Sequence, residues 1–208
     1  MKIAYEDAIK LIEHGDVLLF QGSGTISWLI KTYNYGEYSH AAIIDNSDSI
    51  PMCCEMKEFK GGRCVSLKSQ VDKVGTEIKK IDVFRPLYKI SYEAVEYNNG
   101  EYETVKKTKT MTNGVKNNIV RRMLEITGSD YGWKSIWKIA KHYLPFLRLV
   151  KPKTKDVTES ELHICSSAVS FCLRTEFEDP VPYLPDYMVT PSDLSRSPLL
   201  KYMFTIEK

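Results

Sequence analysis

The chain has 208 residues, 43% of them hydrophobic, and 29 Lys and Arg against 27 Asp and Glu give a formal net charge of +2. That composition can bury one substantial core, so a single domain over 1–208 is expected, and the near-neutral charge makes no general case for nucleic-acid binding. The five cysteines are odd in number and lack a repeated CxxC spacing, which argues against a disulfide scaffold and against a zinc-ribbon pattern.

In chain order, residues 4–13 carry the spacing of a short amphipathic helix. GDVLLF begins a strand at Asp16, QGSG makes a glycine-rich turn, and TISWLIKTYN reads as a helix with Ile26, Leu29, Ile30 and Tyr33 on one face. YSHAAIID follows as a strand apolar on both faces, with His40, Ala42 and Ile44 pointing one way and Ala41 and Ile43 the other, as expected of a strand central in its sheet. MCCEMK (52–57) is the next strand, KGGR a turn, and KKIDVFRPL another strand. YKISYEAVEYNNGEYETVKKTKT has β-branched and aromatic residues on both sides of Asn98, Asn99 and Gly100. Asn-Gly is the favoured type I′ pair, so this stretch predicts an extended hairpin. Helical spacing runs over about 112–144 and again over 161–175, and KYMFTI closes the chain as a strand. The elements are segregated rather than alternating, which is the pattern of an α+β fold.

Cys165, in ELHICSSAVSFC, falls in the first turn of the last long helix, where unpaired N–H groups and the helix dipole favour a thiolate. The position suits a nucleophile, and it also suits a small buried hydrophobe. His40 raises a related question. An imidazole in an apolar strand must pair its ring nitrogens or lose about 1–3 kcal/mol for each one left unsatisfied. Glu55 in the next strand can accept from one nitrogen, leaving the other for a thiol, which assembles the parts of an activated cysteine. A satisfied core histidine and a solvated Glu55 account for the same pattern.

GDVLLFQGSGTISWLIKTYNYGEYSHAAII, a carboxylate in the following strand, VFRP, GSDYGW, ICSSAVSFC and TPSDLSRSP occur in that order between Gly15 and Pro198. This ordered set resembles the circularly permuted papain-like hydrolases of the YiiX-like branch of the NlpC superfamily, and in the same permuted sense the lecithin retinol acyltransferase group. The resemblance implies a permuted papain-like (NlpC-type) fold, with a central antiparallel sheet packed against helices and a histidine strand that precedes the nucleophile's helix. It makes Cys165 the nucleophile, His40 the base and Glu55 the orienting residue, with Glu58 as the alternative third position. Residues at about 88–111 and 140–160 have no counterpart in the pattern and read as insertions. The implied activity is that of a cysteine hydrolase or acyltransferase that cleaves an amide or ester through a thioester, without a cofactor. The alternative is a catalytically silent lipid- or peptide-binding module on the same fold.

The backbone N–H of Cys165 is the natural oxyanion donor, and Tyr38, two residues before His40, is a candidate for a second. Asp16 is explained by a turn or strand-start role without chemistry. His14 and His142 read as solvated, and His163 lies two residues before Cys165, off its helical face. A metal site from His40, Cys53, Cys54 and Cys64 is disfavoured because adjacent strand residues point to opposite faces, and no metal is expected. In WKSIWKIAKHYLPFLRLVKPKTK, apolar residues including Trp133 and Trp137 recur beside a stripe of Lys134, Lys138 and Lys141. That pattern describes a core-facing helix with solvated lysines, or a peripheral contact with an anionic membrane. The expected partner is a small-molecule, lipid or peptide acyl substrate. The N-terminal stretch lacks the uninterrupted apolar run of a signal peptide and no segment is apolar for a bilayer's length, so a reduced, cytoplasmic protein is expected.

Overall fold

The computed structural model describes residues 1–33, 35–57, 60–98, 101–127 and 164–208. Short β1 (Lys2–Ala4) leads into α1 (Tyr5–Leu11), β2 (Val17–Gly22), α2 (Thr25–Tyr33), β3 (His40–Asp45), β4 (Met52–Lys57) and β5 (Gly61–Ser66). Then come α3 (Leu67–Val71), β6 (Ile78–Pro86), the hairpin β7 (Lys89–Asn98) and β8 (Glu101–Thr110), and α4 (Asn113–Ile126). Among the described residues the chain continues with α5 (Cys165–Glu176), a 3-10 turn (Asp186–Met188), α6 (Pro191–Arg196) and β9 (Leu200–Glu207).

Seven strands form one sheet in the order β1-β9-β6-β2-β3-β4-β5, and β7-β8 form a separate two-stranded sheet. The expected antiparallel sheet is in fact mixed, because β1 pairs parallel with β9 while the other pairs are antiparallel. The alternation in β3 works as its sequence requires. Ala41 and Ile43 enter one apolar core with Cys54 and Met56 of β4, Met123 of α4 and Val169 of α5. Ala42 and Ile44 enter a second core with Ala8 of α1 and Leu67 and Val71 of α3. Helices thus cover both faces, and β3 is interior, between β2 and β4. No helix among the described residues is long and apolar enough to cross a membrane.

KGGR, expected as a turn, instead begins β5, with Arg63 directly opposite Glu55 and Gly62 opposite Met56. Gly62 is there for close approach. A Cβ on it would come within 2.7 Å of the Ile126 carbonyl oxygen and the Thr127 Cα, backbone that cannot rotate away. TPSD starts a helix by its own capping chemistry. Thr190 and Asp193 form a reciprocal capping box around Pro191 and start α6.

GD at residues 15–16 and FRP at residues 84–86 meet as a structural lock. Buried Asp16 takes both prongs of the Arg85 guanidinium at 2.8 Å and the Glu13 backbone N–H at 2.8 Å. Burial, the largest influence, raises the Asp16 pKa against the pull of Arg85. The structural role expected for Asp16 is the one observed.

Candidate active site

His40 opens β3, where its ring lies 5.4 Å from the Phe20 ring across the β2–β3 pair. Its Nε2 is 2.6 Å from Glu55 Oε2 on the adjoining strand. Both residues are buried, at 6% and 1% exposure, so this contact is made in a low-dielectric setting where it is strong. Glu55 Oε1 accepts from Arg63 Nε at 2.8 Å and Nη2 at 2.5 Å, a fork that leaves neither carboxylate oxygen unpaired. Sequence reasoning missed Arg63. Arg63 fell in KGGR, read as a turn, and only the β4–β5 register sets it against Glu55.

Cys165 is the first residue of α5, and Ile164 at the N-cap offers no side-chain acceptor to the helix's first N–H groups. The helix start is fixed by other contacts. Ser166 Oγ donates to the Val189 carbonyl at 2.6 Å, and Asp186 takes Ser170 Oγ and Arg174 Nε, each at 2.8 Å. His40 Nδ1 is buried and makes no hydrogen bond among the described residues, and Cys165 lies close enough to the imidazole to raise its pKa. Burial disfavours the imidazolium, but the negative charges of Cys165 and Glu55 together outweigh it and raise the His40 pKa to about 10. Burial likewise works against the Glu55 carboxylate, and the charges and hydrogen bonds of His40 and Arg63 overcome it, holding Glu55 down at about 2.

Tyr38, expected as an oxyanion donor, is used otherwise. Its hydroxyl donates to Asp82 Oδ2 at 2.5 Å, in a buried group where Thr205 Oγ1 donates to the other oxygen at 2.5 Å and Lys80 Nζ lies 2.9 Å away. Burial and this carboxylate push the phenol's pKa up, so its proton stays on the Tyr38 oxygen, which donates it to Asp82. The rival metal set also separates. Cys54 and Cys64, opposite each other on β4 and β5, are joined by a disulfide and leave Cys53, Cys165 and Cys172 as free thiols among the described residues. An odd cysteine count could not reveal that pairing, because it depends on strand register. Glu58, His142, His163 and the segment with Trp133, Lys134, Trp137, Lys138 and Lys141 lie outside the described residues.

The three free thiols are all buried but differ in setting. Burial pushes Cys53 well above the ordinary thiol range and pushes Cys172 up, and neither has a base beside it. Iodoacetamide at about pH 6 should therefore alkylate Cys165 well before the other two, read by site-resolved mass spectrometry. Equal labelling of the three, or Cys53 first, would count against a reactive thiol at 165.

No protein-family model matches the chain, and no curated protein matches it in sequence. Its fold is similar to that of a solved structure of the metalloprotein YiiX from Escherichia coli O157:H7, a DUF1105 protein. The TM-score is 0.60 at 12% identity, over 92% of this chain and 96% of that one. The chain therefore carries a YiiX-like α+β fold, with a buried His40–Glu55 pair held by the half-buried Arg63, and Cys165 at a helix start beside it.

Proposed function

We propose that the chain is a cysteine hydrolase or acyltransferase acting on an amide or ester bond through Cys165, His40 and Glu55. The observation that carries this reading is His40 itself, a buried imidazole with one nitrogen on Glu55 and a raised pKa that Cys165 helps to set. Such a pair sets a sulfur nucleophile beside a protonated imidazole that can donate to the leaving group. The Cys165 sulfur attacks the carbonyl carbon, and as the C–S bond forms, the carbonyl electron pair moves to oxygen, where the Cys165 backbone N–H receives it. Collapse restores the C=O bond and breaks the bond to the leaving nitrogen or oxygen, which takes the proton from His40 Nδ1. Water or another acceptor then gives a proton to Nδ1, attacks the thioester and returns the thiolate. Glu55 keeps the imidazole oriented and its charge compensated throughout, and Arg63 holds Glu55.

The description as a metalloprotein is said of that structural relative. Among the described residues no group of three or more His, Cys, Asp or Glu gathers as metal ligands, and His40 Nε2 is taken by Glu55; the steps above use this chain's own residues. The resolving experiment is to incubate the protein with a mixed peptide and lipid extract, quench with acid and weigh the Cys165 peptide. A mass increase matching an acyl group supports the proposal and names the acyl class, while an unmodified Cys165 in every extract that contains both classes counts against it.

A further inference from the structure

A cavity of about 480 Å³ opens beside the imidazole, and His40 and Glu55 form part of its wall. Most of the remaining polar wall consists of donors. Gln70 of α3 is 4% exposed, and its Oε1 accepts from Lys73 Nζ at 3.4 Å, which fixes the amide's orientation and leaves Nε2 buried with no partner. An unsatisfied buried amide donor costs about 1–3 kcal/mol, and an acceptor entering the cavity would recover that energy. Lys73 and Lys57 add two cations to the same wall.

The start of α2 also lines the cavity, through Gly24 and Thr25. This helix has nine residues and no acidic side chain in its first turn, so its leading N–H groups and the positive end of its dipole are not met by a carboxylate of their own. A Cβ at Gly24 would meet no atom within 4 Å, so the approach to those N–H groups is open. Two carboxylates line the cavity as well. Glu77 is exposed at the rim, and Glu55 is already matched by Arg63 and His40. An unpaired amide donor, Lys73 and a helix N-terminus thus line one cavity with His40, a combination that recognises negatively charged oxygen.

We propose that this cavity is the subsite for an anionic oxygen group, phosphate or carboxylate, carried by the acyl substrate. The assignment to a substrate rests on reading the adjoining Cys165–His40 pair as the reacting centre, whereas the anion site itself stands on the cavity. Because the cavity shares His40 with that centre, the charged group would anchor the substrate within a few atoms of the scissile carbonyl, and neutral acyl compounds of the same chain length would be poor substrates.

The test uses the full chain bearing Cys165→Ala, which cannot turn over, titrated separately with inorganic phosphate and with acetate. The readouts are the NMR signals of the His40 imidazole and the Gln70 side-chain amide. Saturable shifts of both signals with either anion support the site, and the tighter anion identifies the group. Lys73→Gln and Gly24→Asp should each weaken binding by about tenfold or more. Gly24→Asp enters open space and brings a competing carboxylate to the helix start, so it remains informative if changes at Gln70 disturb folding. Absence of shifts with both anions, or unchanged affinity in both variants, overturns the subsite. Anion binding with no acyl adduct in any extract would retain the anion site and remove the hydrolase reading; an adduct without anion binding would do the reverse.

Discussion

Cys165→Ala should abolish turnover on any substrate identified, by about 10⁵-fold or more, and His40→Ala should do the same, because each removes a group that forms or breaks bonds in both half-reactions. Turnover alone does not separate this from damage to the fold, so the His40 titration supplies the second reading. In the intact protein two negative charges, on Cys165 and Glu55, overcome the burial penalty and hold the imidazole proton to about pH 10. Without the sulfur, burial is opposed by Glu55 alone, and the His40 pKa should fall. The linkage has a definite sign. A group whose folded pKa is raised contributes stability that is fully present below its unfolded pKa, about 6.5 for histidine. That contribution is lost as pH rises through the folded value. Intact protein should therefore lose stability between about pH 6.5 and 10, and Cys165→Ala should lose less over the same window, measured by urea unfolding at stepped pH. An unchanged imidazole titration in Cys165→Ala would show that the sulfur and the ring are not paired.

Glu55→Gln should be far more damaging than an isosteric swap suggests. Glu55 accepts three hydrogen bonds, two from Arg63 and one from His40, and it is 1% exposed. A glutamine can turn its carbonyl to only one side, so its NH₂ must face either the guanidinium fork or the imidazole N–H, donor against donor. Removing one partner of a buried ion pair costs about 3–5 kcal/mol, and that is the expected loss of stability at neutral pH. Turnover should drop by about 10²- to 10⁴-fold, because the imidazole loses both its orienting acceptor and the charge that stabilises its protonated form. The pH signature is opposite to that of His40. A carboxylate held at about 2 contributes stability that is present above its unfolded pKa of about 4.5 and lost as pH falls through 2. Intact protein should weaken steeply over that acid window, and Glu55→Gln should be weaker at neutral pH but flatter there. A Glu55→Gln protein with normal stability and full turnover would move the orienting role to another residue.

Much of this molecule is written locally. The pairing of β7 with β8, the alternation that sends Ala41 and Ile43 one way and Ala42 and Ile44 the other, and the helix that begins at Cys165 are all set by residues a few positions apart. Their causes are turn propensity, a period of two, and helix-end chemistry, each readable from a short stretch of sequence. Cys165, His40 and Glu55 were legible as candidates because a thiol at a helix start and an imidazole in an apolar strand both call for partners. The partners of those groups belong to the tertiary structure. Arg63 sits on Glu55, and Cys54 faces Cys64, only because β4 and β5 pair in one register, and a slip of one residue would turn both pairs to the wrong faces. Tyr38 donates to Asp82 rather than toward the reacting pair because β6 lies across β2 from it, a contact 44 residues away in sequence. The cavity beside His40 likewise combines α2, β4 and α3, which no sequence period connects. Local free energies fix each segment's form and its apolar face. Which buried charges and donors meet is decided by the summed packing of segments far apart in the chain, and so only by the fold.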